Sequence, residues 1–272
     1  MVKGIRAFSV SLVMCVQCSM SIGETQLAGI IASSSATLQK LAATPLMYTY
    51  RGYRKDYCEG RLYMVKTTTG TFASWGRKYF HERMDKTSET LSHYVTVYDG
   101  TETKIFEGRL TDAKKNLWWK LGDVKKGRVR FSMPFMYEAV FPTDWIGSEK
   151  NTTFTLIDDI LLVENGHRTY ALSNSDKRIL KAVSNPSVNE KTENSYMGEW
   201  RSRAKISLPT ETYHYRGDRY GDPLMKTTTT LEWGEPTEAE FSKLMEWAFP
   251  AGTKMGGTFG STMLQAQNIE EK

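Results

Sequence analysis

The sequence predicts a mainly β protein with helices (α+β), built on a curled antiparallel sheet. Three observations predict it. Runs rich in β-branched and aromatic residues fill most of the chain after Met47. Two of them are punctuated by Asp99-Gly100 and Asn165-Gly166, pairs that tolerate the positive φ of tight hairpin turns. Helical spacing is confined to an N-terminal segment, a stretch near 111–147 and a short piece near the C-terminus.

Taken in order, Leu27, Ile30, Ile31, Leu38 and Leu41 predict an amphipathic helix over Gln26–Ala43, weakened by Ser33-Ser34-Ser35 and ended by Pro45. Tyr48, Tyr50 and Tyr53 open the strand-rich part, followed by runs at Arg61–Lys66, Thr71–Trp75 and Arg77–Arg83. His93–Tyr98 alternates, and Thr103–Phe106 continues it beyond the turn; His93, Val95 and Val97 fall on one face, Tyr94, Thr96 and Tyr98 on the other. Thr111 and Asp112 then predict a helix through Lys120. Ser132–Trp145 reads as irregular and partly helical.

The second half begins with one long strand, Phe154–Val163, interrupted at Asp158-Asp159 by a bend or bulge. His167–Leu172, Lys177–Ala182, Trp200–Leu208, Glu211–Arg216 and Leu224–Trp233 are further strands. The polar stretch Asn185–Met197 predicts a long exposed loop. Thr237 and Glu240 form a capping box opening a helix to Trp247, Pro250 stops it, and a final strand is expected over Thr258–Leu264. Tight turns make the hairpins antiparallel, so a sheet curling around one face suits this order better than a βαβ scheme.

Met1–Gly23 reads as a secretory signal peptide, with Lys3 and Arg6 in its n-region, a mostly apolar Ala7–Met20 and small residues at Ser21-Ile22-Gly23. Cleavage there leaves a single domain over 24–272 that works in the periplasm or is secreted. A membrane anchor is disfavoured because the apolar run is short of the ~20 residues that span a bilayer. Lipidation at Cys15 or Cys18 is disfavoured because Met14 and Gln17 precede them where a small residue is wanted. Beyond the leader only Cys58 remains, so the fold relies on a core and not on disulfides. The 36 basic and 31 acidic residues give a net charge of +5, and +3 without Lys3 and Arg6, too small and scattered for nucleic acid. Membrane contact is expected to be peripheral at most.

Catalytic chemistry is not written in the chain. His81, His93, His167 and His214 lack the spacing of a metal site, and no metal or other cofactor is expected. Asp158 and Asp159 would face opposite ways on a strand, which argues against a glycosidase pair. Nucleophile elbows and phosphate loops are missing, so the chain is not expected to be an enzyme. Cys58 reads as a half-buried strand cysteine, and Asn151-Thr152-Thr153 is a bare sequon. The aromatic residues Trp118, Trp119, Phe135, Phe141 and Trp145 are the candidate ligand-binding set, either as core plugging the open side of the sheet or as a mobile apolar lid.

The leader, the first helix, the strands into Val95-Thr96-Val97-Tyr98-Asp99-Gly100, the helical insert and the later strands form one pattern. With the segment ending at Arg216, Gly221-Asp222-Pro223 and the tail Trp247-Ala248-Phe249-Pro250-Ala251-Gly252-Thr253, it resembles the LolA-like, outer-membrane lipoprotein-sorting superfamily. The resemblance extends over roughly Leu38–Gln265 and implies a curled, unclosed β-barrel covered by an N-terminal helix and a helical insert. It further implies an apolar concavity that takes a lipid or a lipoprotein acyl chain, with an envelope protein as the alternative partner. Polysaccharide chemistry using the tryptophans as sugar platforms is the weaker rival.

Overall fold

The computed structural model describes residues 22–111, 114–121, 125–126, 152–166, 168–187, 190–197, 201–203, 206–218, 220–248 and 254–255. Helix α1 spans Ile22–Ala43, longer at its start than expected, and Pro45 separates it from the first strand. Six strands then run as a meander: β1 (Leu46–Cys58), β2 (Arg61–Trp75), β3 (Lys78–Lys86), β4 (Thr90–Tyr98), β5 (Glu102–Thr111) and β6 (Lys114–Leu121). The short β7 (Lys125–Lys126) also pairs with β5.

A second meander comprises β8 (Thr152–Ile157), β9 (Ile160–Asn165), β10 (Arg168–Ser173), β11 (Ile179–Ser187), β12 (Glu190–Met197), β15 (Glu211–Asp218) and β16 (Pro223–Gly234). Between β12 and β15, β13 (Arg201–Arg203) and β14 (Ile206–Leu208) form a separate two-stranded sheet. Helix α2 (Glu238–Met245) and β17 (Lys254–Met255) follow, β17 lying parallel to β6.

The two meanders join along one seam, where β1 pairs antiparallel with β16 from Met47↔Gly234 to Asp56↔Met225. The chain therefore starts its sheet in the middle, works out to β6, resumes at the opposite edge with β8 and returns to the middle. The order runs from β17 to β8 without closing on itself. A twisted sheet this wide curls rather than lying flat.

Turn chemistry fixes the register. Glu59 and Gly60, with φ of 50° and 73°, close β1 on β2 as a two-residue turn of the type that matches strand twist. At the Asp99 turn, Oδ1 accepts from the Thr101 and Glu102 backbone N–H groups and the Thr101 hydroxyl. These bonds hold the Asp99 carboxyl down at about 2. Thr237 and Glu240 make the expected capping box at α2.

Three expectations are corrected. Thr111–Lys120 is not a helix: β6 pairs with β5, Arg109 opposite Trp118 and Gly108 opposite Trp119. Pairing with β5 gives this segment cross-strand partners in place of helical ones, and aromatic residues favour the strand. Phe154–Val163 is not one strand but the β8–β9 hairpin, turning at Asp158-Asp159 with Asp158 at φ 53°. Asn185–Met197 is not a loop, because β12 lies between β11 and β15. Its polar side chains have cross-strand partners: Glu193 bridges Lys181 at 2.9 Å, and Glu190 pairs with Arg216. Of the insert expected over 111–147 and the strand over Thr258–Leu264, residues 112–113, 122–124, 127–147 and 258–264 lie outside the described residues.

Each face of the sheet buries its own cluster. On the α2 face, Ala73, Phe80, Val95, Val97 and Phe106 pack with Phe241 of the helix. On the α1 face, a larger cluster runs from Tyr98 on β4 to Leu161 on β9 and takes in Ile30 of α1. The predicted alternation of β4 is thus realised: Val95 and Val97 serve one core and Tyr98 the other.

On the α1 face, one ring from each of five successive strands forms a ladder. Trp233 meets Tyr48 at 4.6 Å between centroids, Tyr48 meets Phe72 at 5.2 Å, Phe72 meets Tyr79 at 6.1 Å, and Tyr79 meets Tyr98 at 5.5 Å. Tyr50 lies across Gly70, its cross-strand partner, and a Cβ there would overlap the Tyr50 hydroxyl and the Glu82 carbonyl. Gly70→Ala should therefore destabilise the fold by about 1–3 kcal/mol through overpacking. Equilibrium urea unfolding checks this, and an unchanged midpoint would show that the Tyr50 ring can move aside.

Candidate binding face

Along the strands, the α1 face changes from apolar to charged. On β1 its residues run Leu46, Tyr48, Tyr50, Gly52, Arg54 and Asp56; on β3 they run Tyr79, His81, Arg83 and Asp85. The period of two sets both lists, each step advancing by roughly 7 Å. The aromatic ladder occupies one end. At the other end lies a cavity of about 230 Å³, lined by Gly52, Arg54, Lys66, Thr68, Arg83, Asp85 and five residues of β15 and β16, Thr229 among them.

Gly52 leaves this cavity open, because any larger residue would press its Cβ to 3.1 Å from the Thr229 hydroxyl. Asp85 is almost fully buried and gathers three partners: Lys66 Nζ at 2.7 Å, an Arg83 guanidinium nitrogen at 3.1 Å and the Thr68 hydroxyl, which donates at 2.8 Å. Arg83 also stacks over the Tyr94 ring at 4.8 Å. Arg54 is held by Asp56, its Nε donating at 2.9 Å. His214 Nδ1 bonds the Asn194 side-chain oxygen. Burial lowers the His214 pKa, and Arg54 and Arg216 lower it further, a sign of positive potential around the ring.

At the boundary between the two ends, the Tyr50 hydroxyl donates to the Glu82 carbonyl at 3.2 Å and stands 2.9 Å from His81 Nε2. Burial, then the Arg83 charge, brings His81 down to about 4.

Of the candidate ligand-binding residues, Trp118 and Trp119 are consecutive positions of β6, flanked by β5 and β17. Phe135, Phe141 and Trp145 lie outside the described residues. The charged cavity was not anticipated. Its only sequence signal is the alternation Arg54-x-Asp56, Lys66-x-Thr68 and Arg83-x-Asp85, which becomes one cluster once the register is known. Asp158 and Asp159 sit exposed in an edge hairpin turn, remote in kind from a paired catalytic site. Cys58 is exposed, not half-buried, at the end of the first hairpin. Among the described residues there is no metal-binding group of three or more His, Cys, Asp or Glu, and no helix long and apolar enough to cross a membrane.

Solved structures similar to this chain include an outer membrane lipoprotein-sorting protein domain from Vibrio parahaemolyticus, at 10% identity and TM-score 0.40, covering 79% of this chain and 97% of that one. A DUF1329 family protein from Desulfovibrio piger is similar at 11% identity and TM-score 0.38, over 80% and 98% of the two chains. A LolA superfamily protein from Nitrosomonas europaea is similar at 8% identity and TM-score 0.34, over 76% and 96%. No protein-family model matches the chain, and no curated protein matches it. At these identities and TM-scores the likeness carries no argument, and function has to be argued from the face itself.

His81 makes the boundary of that face sensitive to acid. Its folded pKa of about 4 lies below the ordinary 6.5, so the unfolded chain binds more protons between those values. Stability from this group is complete above pH 6.5 and falls as pH drops towards 4, by up to about 3 kcal/mol. Unfolding free energies measured from pH 7 to 4 should fall more steeply for the native protein than for His81→Gln; parallel curves would contradict this assignment.

Proposed function

We propose that the protein is an extracytoplasmic binding protein that holds an apolar ligand, a lipid or a lipoprotein acyl chain, against the α1 face of its open sheet. One observation carries the reading: the buried apolar surface on that face extends from β4 to β9, while among the described side chains of α1 only Ile30 is fully buried against it. Leu27 packs there in part, and the Ser33 hydroxyl donates to the Asp176 carbonyl at 3.0 Å beyond β10.

The energetics favour exchange. Burying one Ile side chain is worth about 1.5–3 kcal/mol, and each buried methylene of a ligand about 0.8 kcal/mol. A few methylenes therefore offset the loss of the Ile30 contact, and a long acyl chain exceeds it. Helix α1 acts as the displaceable cover.

The order of the strands supports a second cover. The described strands before residue 127 end with β6 and β7, and those after residue 151 begin at the opposite edge with β8. Phe135, Phe141 and Trp145 belong to the connection between those edges. In this reading their rings belong to the ligand-binding set together with Trp118 and Trp119 of β6. The leader over Met1–Gly23 directs the protein out of the cytoplasm, where a carrier of lipid or lipoprotein would act.

Organic extraction of the purified protein followed by mass spectrometry should recover lipid, and the lipid-free protein should bind a fluorescent acyl probe. Absence of both would overturn the reading. Ser33→Cys combined with Asp176→Cys, in a Cys58→Ser background, should lose probe binding when oxidised and regain it when reduced. Equal binding in both states would remove α1 as the gate.

A further inference from the structure

We propose that the cavity over Gly52 is an oxyanion site, which receives the carboxylate or phosphate group of an amphiphile whose chain lies along the aromatic ladder. This inference rests on the reading above for the chain, and on separate residues for the charged group.

The charges facing the cavity decide its preference. Strand β1 brings Arg54, β2 brings Lys66, and β3 brings Arg83 and Asp85. Strand β15 brings His214, and β16 contributes Met225, Thr227 and Thr229 without a charge. Asp85 is a single carboxylate contacted by two cations, so its site retains one positive charge. Arg54 is neutralised in part by Asp56, at 2.8 Å from a guanidinium nitrogen, yet its side chain remains 40% exposed. The side chains of Lys66 and Arg83 are 24% and 40% exposed. All three cations can therefore turn donors towards an incoming anion while keeping their present partners.

Two buried polar atoms point the same way. The Thr229 hydroxyl lies in the cavity wall, 1% exposed and without a hydrogen-bond partner, and Arg83 Nε is likewise buried and unpartnered. Leaving such groups unsatisfied costs about 1–3 kcal/mol each, which an oxygen ligand would recover. The size agrees as well: about 230 Å³ suits a carboxylate or phosphate with attendant water, and is too small for the whole of a long chain. Cations with five or three donors each are the chemistry that recognises oxyanions. Because Tyr50 precedes Gly52 on the same face of β1, a chain leaving the cavity passes the Tyr50 ring, which lies 6.2 Å from the ladder residue Tyr48.

The test compares dodecanoate with dodecanol by calorimetric titration, and follows the His214 pKa by NMR in phosphate against chloride at equal ionic strength. Dodecanoate should bind about tenfold or more tightly than dodecanol, as one charge-assisted contact would give. Phosphate should raise the His214 pKa. Lys66→Gln should abolish both effects, and Arg54→Gln serves if that variant fails to fold. Equal binding of the acid and the alcohol would overturn the oxyanion site and leave the apolar reading intact. Binding of neither would sink the apolar reading; a phosphate-induced rise at His214, lost in Lys66→Gln, would then keep the site for a free anion, and no rise would overturn it too.

Discussion

The ring ladder Trp233–Tyr48–Phe72–Tyr79–Tyr98 is the contact on which the rest of the structure depends. It crosses the seam between β16 and β1, so it ties the last long strand to the first and carries on into the N-terminal meander. Aromatic pairs of this kind contribute about 0.5–1.5 kcal/mol beyond the area they bury. Trp233 is further fixed by its Nε1–H, which donates to the Pro209 carbonyl at 2.7 Å. With the ladder in place, Tyr50 must cover Gly70, Gly52 must leave its space open, and the charged residues must come together one step further on.

The same geometry lets one face host two chemistries. Alternation along each strand keeps the α2 face a closed core, sealed by Phe241 with Trp247 against Phe106. The α1 face is divided lengthwise instead, greasy towards Tyr48 and ionic towards Arg54. Tyr50 and His81 mark the border, each with a polar atom satisfied while its ring joins the apolar side. A molecule with one oily and one ionic end has its own polarity reproduced in that surface.

Much of the fold was legible because it is local. The α1 and α2 helices, the Asp99-Gly100 turn and the faces of β4 follow from spacing and turn chemistry within a few residues. The errors arose where distant pairing decided the outcome. Lys114–Leu121 became strand through β5, and Glu190–Met197, polar enough to read as a loop, became an interior strand because Lys181, Arg216 and His214 face its polar groups. The candidate site was less legible for the same reason. Bulky aromatic residues drew attention to Trp118–Trp145, whereas Arg54, Lys66 and Arg83 look like ordinary solvated charges until the register sets them side by side.

The seam also governs how the chain can be made. Strand β1 finds β2 almost at once, but its other edge stays bare until residues 225–234, nearly 180 positions later, have been synthesised. Throughout that interval an aromatic strand presents open backbone groups to any passing polypeptide. Assembly is consequently a late event, set by closure of a very long loop, and a nascent chain of this design benefits from an escort that shields Leu46–Cys58 until its final neighbour arrives.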